Sequence, residues 1–201
     1  MLPIKFQARP RCRNSVRLSP RNIGTDGSCS IADDCIMPSI RIRIARAEDA
    51  SEVSHVLLRS YDTLYRGWYR QDVLALALPQ LTRANPTLLS SGRYFVGIAD
   101  NQIVACGGWS AAPPTGGRDG PPHLRHFATD PRYLGRGFGG AIVVRSLDEA
   151  RRVGFSLMEV ISSLTAEAFY ARHGFVPVAQ VRQRMGGVDF DCVLMRRHLG
   201  T

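Results

Sequence analysis

The spacing of apolar residues predicts a strand and then two helices at the start of the chain's globular part. Residues 40–44 alternate apolar and polar side chains with period two, as a half-buried strand does. Asp49 suits the N-cap or first turn of the helix that follows. Residues 72–81 predict a second helix, which Pro79 limits. One face of the first helix carries Val53, Val56, Leu57 and Ser60.

The remaining chain alternates strands and helices. Asp100 and Asn101, a pair typical of hairpin turns, separate apolar runs at 94–99 and 103–109. Residues 124–129 predict a strand, and Gly154 ends the helix after it. The apolar face of that helix comprises Ile142, Val143, Leu147, Ala150 and Val153. The last predicted elements are a strand at 157–161, a helix at 165–173, and strands at 175–182 and 190–196. The predicted order is β-α-α-β-β-β-α-β-α-β-β.

The first 36 residues lack apolar periodicity and cannot supply a hydrophobic core. We expect residues 1–36 to be a disordered extension and residues 37–201 to form one domain, because about 160 residues suffice for a single core. Two alternatives stay open. The extension is Arg-rich and free of acidic residues up to Arg21, as mitochondrial transit peptides are, and Met37 would be an ordinary start for the domain.

The net charge of +9 does not by itself indicate nucleic-acid binding. Six of the 26 basic and three of the 17 acidic residues precede Met37, and the other charges are spread along the chain without interleaved aromatic residues. The positive surplus suits an anionic cofactor. No apolar run reaches the roughly 18 residues that a membrane span needs. We therefore expect neither nucleic acid nor membrane as a partner.

The cysteines favour a reducing environment. Of the five, three lie in the extension without metal-ligand spacing, while Cys106 and Cys192 lie singly in apolar runs. An odd count without a signal peptide favours free thiols in the cytoplasm. We expect neither a bound metal nor a disulfide framework.

A glycine-rich turn at residues 130–140, Asp-Pro-Arg-Tyr-Leu-Gly-Arg-Gly-Phe-Gly-Gly, lies between a predicted strand and a predicted helix. Glycines allow the backbone to approach a ligand closely, and the start of a helix offers unpaired N–H groups and a positive dipole end. Arg136 adds a formal charge. This arrangement predicts an anion site, and a pyrophosphate is the ligand that suits it best.

Two nucleotide motifs fit the turn less well. The P-loop needs a Lys followed by Ser or Thr after its last glycine, whereas Ala141 follows Gly140 here. The dinucleotide fingerprint can be matched to the glycine spacing, with Glu159 as its acidic residue. That motif belongs near the start of a βαβ unit, and little of this chain follows the turn.

The segment from Leu134 to Gly139 resembles the acetyl-CoA loop of the GNAT N-acetyltransferases, Gln/Arg-x-x-Gly-x-Gly/Ala. Gly137 and Gly139 hold its two fixed positions, and Leu134 departs from the usual Gln or Arg. Residues 163–175, which carry Phe-Tyr and end at Gly-Phe, resemble the family's later motif. The resemblance covers residues 40–199. It implies an α/β (α+β) GNAT acyl-CoA N-acyltransferase fold, with a mixed twisted sheet of about seven strands and about four helices.

The resemblance implies acetyl-CoA as co-substrate, with no metal. Ser163 stands where many members carry an Asn that contacts the cofactor. The residues expected to bind acetyl-CoA are Phe127, Thr129, Leu134, Gly135, Arg136, Gly137, Phe138, Gly139, Gly140 and Ser163.

Two side chains are the candidates for proton transfer. Tyr170 matches the family's tyrosine near the cofactor sulfur, and a phenol can protonate a departing thiolate. Several family members carry a glutamate on the strand before the loop. In this sequence a gap-free count back from the loop reaches His123 at that position, and its imidazole suits a general base at neutral pH. Strict alternation would place Arg125, Phe127 and Thr129 on the face of His123, and His126 on the other. Glu159 or a chain of water molecules is the alternative base.

Two functions are compatible with the sequence. The first is an acetyl-CoA-dependent N-acetyltransferase that acts on a primary amine of a small molecule or protein. The second is a non-catalytic acyl-CoA-binding or partner-binding module with the same fold. A homodimer is left open, and the sequence does not disclose the acceptor. The expected acceptor walls are residues 110–122 and the aromatic residues Tyr61, Tyr65, Trp68 and Tyr69, whereas Trp109 is expected in the core.

Overall fold

The computed structural model describes residues 40–114 and 120–200. Within these residues one mixed sheet has seven strands in the order β1-β2-β3-β4-β5-β7-β6. The predicted extension at residues 1–36 lies outside the described part. The strands are β1 (Arg41–Ile44), β2 (Tyr94–Ala99), β3 (Gln102–Ser110), β4 (His123–Thr129), β5 (Leu157–Ser163), β6 (Val176–Met185) and β7 (Val188–His198). The predicted fold class is confirmed.

The described part contains five α-helices, one more than the sequence predicted. The additional helix is short and begins after Asn85, whose side chain accepts hydrogen bonds from the backbone N–H groups of Thr87 and Leu88. Pro86 at its first position is pre-organised for a helix. The helices are α1 (Ala50–Leu64), α2 (Gln71–Leu81), α3 (Pro86–Leu89), α4 (Phe138–Arg152) and α5 (Glu167–Arg172).

Two hydrophobic cores lie on opposite faces of the sheet. The first packs α1, α2 and α3 against the sheet, and includes Val56 and Tyr94. The second packs α4 and α5 against the other face, with Ile142 and Met158 fully buried. Trp109 is 1% exposed and lies in the second core, as expected. Each core contains residues from the β1–β4 part of the sheet and from the β5–β7 part. Burial of these apolar side chains therefore holds the two parts together.

The sheet is interrupted between β4 and β5. These strands are parallel, and within the described residues they pair only at His123 with Glu159 and at Leu124 with Val160. All other neighbouring strands are antiparallel and pair over longer stretches. The carboxyl-terminal ends of β4 and β5 therefore leave a gap in the sheet.

A β-bulge in β4 changes which side chains share a face. The register of β4 against β3 shifts between Cys106 and Gly108, and His126 has a left-handed φ of 50°. A bulge inserts one extra residue and breaks the alternation. Leu124 and Phe127 consequently both pack in the second core. The expectation that Phe127 and Thr129 share the face of His123 is therefore wrong.

Candidate active site

The glycine-rich turn connects the end of β4 to the start of α4. A short 3-10 helix, Pro131–Tyr133, follows the strand, and Gly135 then takes a φ of 75°. Gly137, the N-cap of α4, has a φ of 86°, a backbone conformation that side-chain-bearing residues rarely adopt. The loop thus delivers the chain to a helix start whose N–H groups lack intrahelical partners.

Gly139 and Gly140 permit close packing of α4 against its neighbours. A Cβ at position 139 would lie 3.3 Å from Thr129 Oγ1 and 3.4 Å from the Phe169 ring. At position 140 it would lie 3.0 Å from Nε2 of His173. His173 is half-buried and donates from Nδ1 to the Phe169 carbonyl in the tautomer that this geometry requires. No local pattern in the sequence places this histidine beside the loop.

A buried carboxylate anchors the loop to α1. Asp130 is 1% exposed and accepts from Arg59 Nε at 2.8 Å and from Arg132 NH2 at 2.9 Å. It also accepts from the backbone N–H of Arg132 at 3.0 Å. The hydrogen bonds from Arg132, with the support of Arg59, lower the pKa of Asp130 to about 2. This anchor was not predicted from the sequence, because Arg59 is 71 residues away in the chain.

A cavity of about 760 Å³ extends from this loop into the gap between β4 and β5. On the loop side its walls include Gly137, Thr129 and Phe169. On the other side they include Tyr65 and Trp68, which follow α1. The cavity therefore connects the predicted anion site with the predicted acceptor region.

Tyr170 lies on the wall of this cavity in α5. It is 5% exposed, and its ring packs edge-on against Phe127, Phe169 and Phe175. Burial raises the pKa of Tyr170 far above its ordinary value of 10, so the phenol keeps its proton at any working pH. A protonated hydroxyl on the cavity wall can donate to an anion formed in the cavity.

Tyrosine hydroxyls hold the backbone of the bulge. Tyr94 donates to the carbonyl of His126 at 2.8 Å, and Tyr61 donates to the carbonyl of Phe127 at 3.1 Å. The Tyr61 ring stacks on that of Tyr65 at 4.8 Å. These contacts fix two consecutive carbonyls and so stabilise the strained conformation of His126.

The four aromatic residues of the predicted acceptor region divide between core and surface. Tyr61 and Tyr65 are buried in the first core. Tyr69 donates to the Asp191 carbonyl and accepts from the N–H of Leu164. Trp68 is 59% exposed and lies at the cavity mouth.

His123 lies away from this cavity. It is 4% exposed, and its Nε2 is 3.2 Å from Oε2 of Glu159, which also binds Arg196. Burial lowers the pKa of His123. The pair lines a smaller cavity of about 350 Å³, which shares Pro114, Ile161 and Gln183 with the larger one. Any contact between His123 and the reacting amine must therefore be indirect.

The other predicted cofactor residues are placed as follows. Phe127, Thr129, Leu134 and Phe138 line the large cavity, and Leu134 is 47% exposed. Ser163 also lines it and bonds Thr165 Oγ1 at 2.9 Å. Arg136 is exposed outside the cavity lining, with its guanidinium 4.8 Å from the Tyr133 ring centroid.

The acidic, cysteine and histidine side chains of residues 40–114 and 120–200 do not cluster as metal ligands do. These residues contain no group of three or more such side chains suited to a metal ion. None of the described helices has the length and apolar character required to cross a membrane.

A family model matches the central part of the chain. Residues 90–177 match the family model of the acetyltransferase (GNAT) domain. This segment contains the β4–β5 gap, the glycine-rich loop and Tyr170. No curated protein matches the chain. Together with the fold, the match over this segment supports the resemblance to the GNAT acetyltransferases.

Solved structures share the fold at low sequence identity. A GCN5-related N-acetyltransferase from Rhodopseudomonas palustris is 18% identical with a TM-score of 0.65, covering 81% of this chain and 98% of its own. PaiA N-acetyltransferase from Thermoplasma acidophilum, solved with coenzyme A, is 16% identical with a TM-score of 0.60, covering 80% and 99%. A GNAT family acetyltransferase from Brucella melitensis, solved with acetyl-CoA, is 18% identical with a TM-score of 0.52, covering 81% and 89%.

Proposed function

We propose that this protein is an N-acetyltransferase that transfers the acetyl group of acetyl-CoA to a primary amine in a ternary complex. The observation that carries the proposal is the continuous cavity joining the glycine-rich loop, Tyr170 and the aromatic surface after α1. One end suits a pyrophosphate, and the other is open to a second substrate. The cofactors bound to the Thermoplasma and Brucella proteins support this choice.

The main chain of residues 135–140 would hold the pyrophosphate. Left-handed Gly137 turns the backbone toward the helix start, where N–H groups and the helix dipole favour an anion. Leu134 in place of a polar side chain is compatible with this binding mode, since the main chain supplies the contacts. Phe127, Thr129 and Ser163 would flank the pantetheine arm as it enters the gap. A cytoplasmic location and a homodimer stay predictions.

The reaction requires one bond to form and one to break. The amine nitrogen attacks the thioester carbonyl carbon, and the carbonyl electrons move to oxygen. The bulge at His126 leaves one residue of β4 unpaired, and a free N–H of this segment would donate to that oxyanion. Collapse of the intermediate breaks the C–S bond, and the Tyr170 hydroxyl protonates the thiolate. Solvent then restores the phenol proton.

The environment of the cavity would deliver the amine in its neutral form. No Asp or Glu among the described residues lines the cavity. An ammonium ion is disfavoured there, because desolvation opposes it and no described carboxylate of the lining compensates its charge. The surplus proton leaves through water, and His123 is a candidate relay only by way of the adjoining smaller cavity.

Tyr170→Phe tests the proposed acid. We expect kcat to fall about 100-fold with little change in acetyl-CoA affinity, because the substitution removes one proton-transfer group and no apolar contact. The measurement is release of free CoA with a panel of amines, together with calorimetry of acetyl-CoA binding. Full activity of the variant on a good acceptor would contradict the acid role.

The same panel separates the two functions. Release of CoA that depends on an added amine supports acetyl transfer. Tight binding of acetyl-CoA without release for any amine or peptide would instead favour the non-catalytic module and overturn the proposal.

A further inference from the structure

The large cavity contains a partly buried arginine, Arg125, that has no acidic partner among residues 40–114 and 120–200. Arg125 lies on β4 directly before the bulge and lines the cavity. Its Nη1 donates to Ser110 Oγ at 3.2 Å, and no carboxylate of the described residues lies within 4 Å of the guanidinium. Burial lowers the pKa of Arg125.

Other arginines of the described part form ion pairs with buried carboxylates. Asp49 binds Arg43, Asp130 binds Arg59, and Glu159 binds Arg196. A guanidinium removed from water without such a partner is destabilising, because the charge loses hydration. The hydroxyl of Ser110 in turn donates to the Ala112 carbonyl at 2.7 Å, so a fixed hydrogen-bond network orients Arg125. Its other donors have no partner in the described part of the chain, and a ligand could bind them.

The acceptor side of the cavity has several large apolar side chains on its walls. The acceptor side of the cavity includes Leu64, Trp68, Leu81 and Met185. The described lining contains no carboxylate that would bind a second ammonium group. This composition disfavours a polyamine and complements a molecule with an anionic group and an apolar body.

We infer that the acceptor is a small amine that also carries a carboxylate, an amino acid with a large apolar side chain, and that Arg125 binds this carboxylate. The inference rests on the proposed acetyl transfer. Arg125 precedes Phe127 by two residues, about 7 Å or less along the strand. Because the Phe127 ring packs against the Tyr170 ring, a carboxylate bound at Arg125 would lie close to the proposed acid. A guanidinium binds a carboxylate through two parallel hydrogen bonds, which fixes the orientation of the acceptor.

The first test compares matched amines. L-phenylalanine and L-leucine are assayed against phenethylamine and isoamylamine, which lack only the carboxylate, by release of CoA. We expect kcat/KM to be about 10- to 100-fold higher for the amino acids, which corresponds to one charged bidentate contact. In Arg125→Gln this preference should disappear while the rates of the simple amines persist, and Arg125→Lys should restore part of it.

Arg93→Gln is the matched control. Arg93 is also partly buried without a carboxylate partner among the described residues, but it stacks on Trp109 at 4.6 Å, outside the cavity. This variant should keep the preference for the amino acids. An equal loss in both variants would assign the effect to general charge rather than to Arg125, and would overturn the inference.

A binding measurement tests the inference independently of turnover. 3-Phenylpropionate has the carboxylate and the apolar body without the amine. In the presence of CoA it should bind the wild-type protein and bind Arg125→Gln at least 10-fold more weakly, as measured by calorimetry. Absence of binding to the wild type would overturn the inference. Faster release of CoA with the simple amines than with the amino acids would also overturn it, while leaving acetyl transfer itself supported.

Discussion

The glycines of the loop have two separate physical roles. Gly137 is required for its left-handed backbone conformation, since a Cβ there would meet only the flexible end of Ile40. Gly140 is required for space, since a Cβ would approach His173. Substitutions at these positions therefore affect different properties of the site.

Gly137→Val should abolish acetyl-CoA binding, because the branched side chain occupies the approach to the helix start and disfavours the left-handed backbone. Gly154→Val is its matched control. Gly154 has a similar φ of 94° at the opposite end of α4, and a Cβ there would meet no atom within 4 Å. Both variants should lose comparable stability, of order 1–2 kcal/mol, in urea unfolding. Calorimetry should show binding only in the control, and unchanged affinity of Gly137→Val would contradict the proposed site.

At the level of elements, the β4–α4 connection depends on its ion-pair anchor. Asp130 is buried between Arg59 of α1 and Arg132 of the loop itself. Its pKa of about 2 lies below the ordinary value. A carboxyl whose pKa is depressed by folding stabilises the folded state above its unfolded pKa, near 4, and this contribution is lost as pH falls toward 2.

Asp130→Asn should therefore destabilise the protein at pH 7 by up to about 2 kcal/mol, discounted for the exposure of both arginines. The difference from wild type should shrink when urea unfolding is repeated at successively lower pH between about 4 and 2. Asp191→Asn is the control, because its ion pair with Arg182 is exposed and contributes little. A difference at Asp130 that is independent of pH over this interval would contradict the electrostatic explanation.

Most helices and strands could be predicted, because the spacing of apolar residues along the chain distinguishes strands from helices without tertiary information. All seven strands were predicted, and Asp100 and Asn101 form the expected turn with positive φ at both. The bulge was not predictable, because hydroxyls of Tyr61 and Tyr94 from distant elements hold it. The local pattern of β4 gives no indication of an extra residue. The helix at Asn85 and Pro86 was missed although its capping residues are visible in the sequence.

At the scale of the whole molecule, the gap between β4 and β5 divides the sheet. Within the described residues two register pairs connect the two parts, and backbone groups beyond them lack a neighbouring strand. A ligand with amide groups can form hydrogen bonds with these unpaired N–H and C=O groups.

Acetyl-CoA should slow hydrogen exchange at residues 126–129 and 161–163, which border the gap, as well as at the loop. The comparison is made by mass spectrometry with and without the ligand. Residues 186–187, in the turn of the β6–β7 hairpin, lie outside the cavity lining and serve as the internal control. Protection limited to residues 135–140 would show that the ligand does not enter the gap.

The two sides of the candidate site differ in how far the sequence predicts them. The loop and Tyr170 lie in short contiguous motifs, so local spacing located them. The acceptor side combines Arg125, Trp68 and Met185 from three distant segments. No local pattern specifies such an arrangement. His123 also shows this limit, since counting along β4 could not reveal that its side chain contacts Glu159 on the neighbouring strand β5.

The interrupted sheet also has a consequence for the amount of protein in a cell. Under the proposed function, the cofactor fills the break and joins the two parts of the sheet, so it binds the folded state alone. At 100 times its dissociation constant such a ligand adds about 2.7 kcal/mol to folding stability. Marginally stable proteins are continuously removed by proteases when they unfold, and a difference of this size changes abundance several-fold. The supply of acetyl-CoA would then regulate how long each molecule survives, in addition to how fast it works.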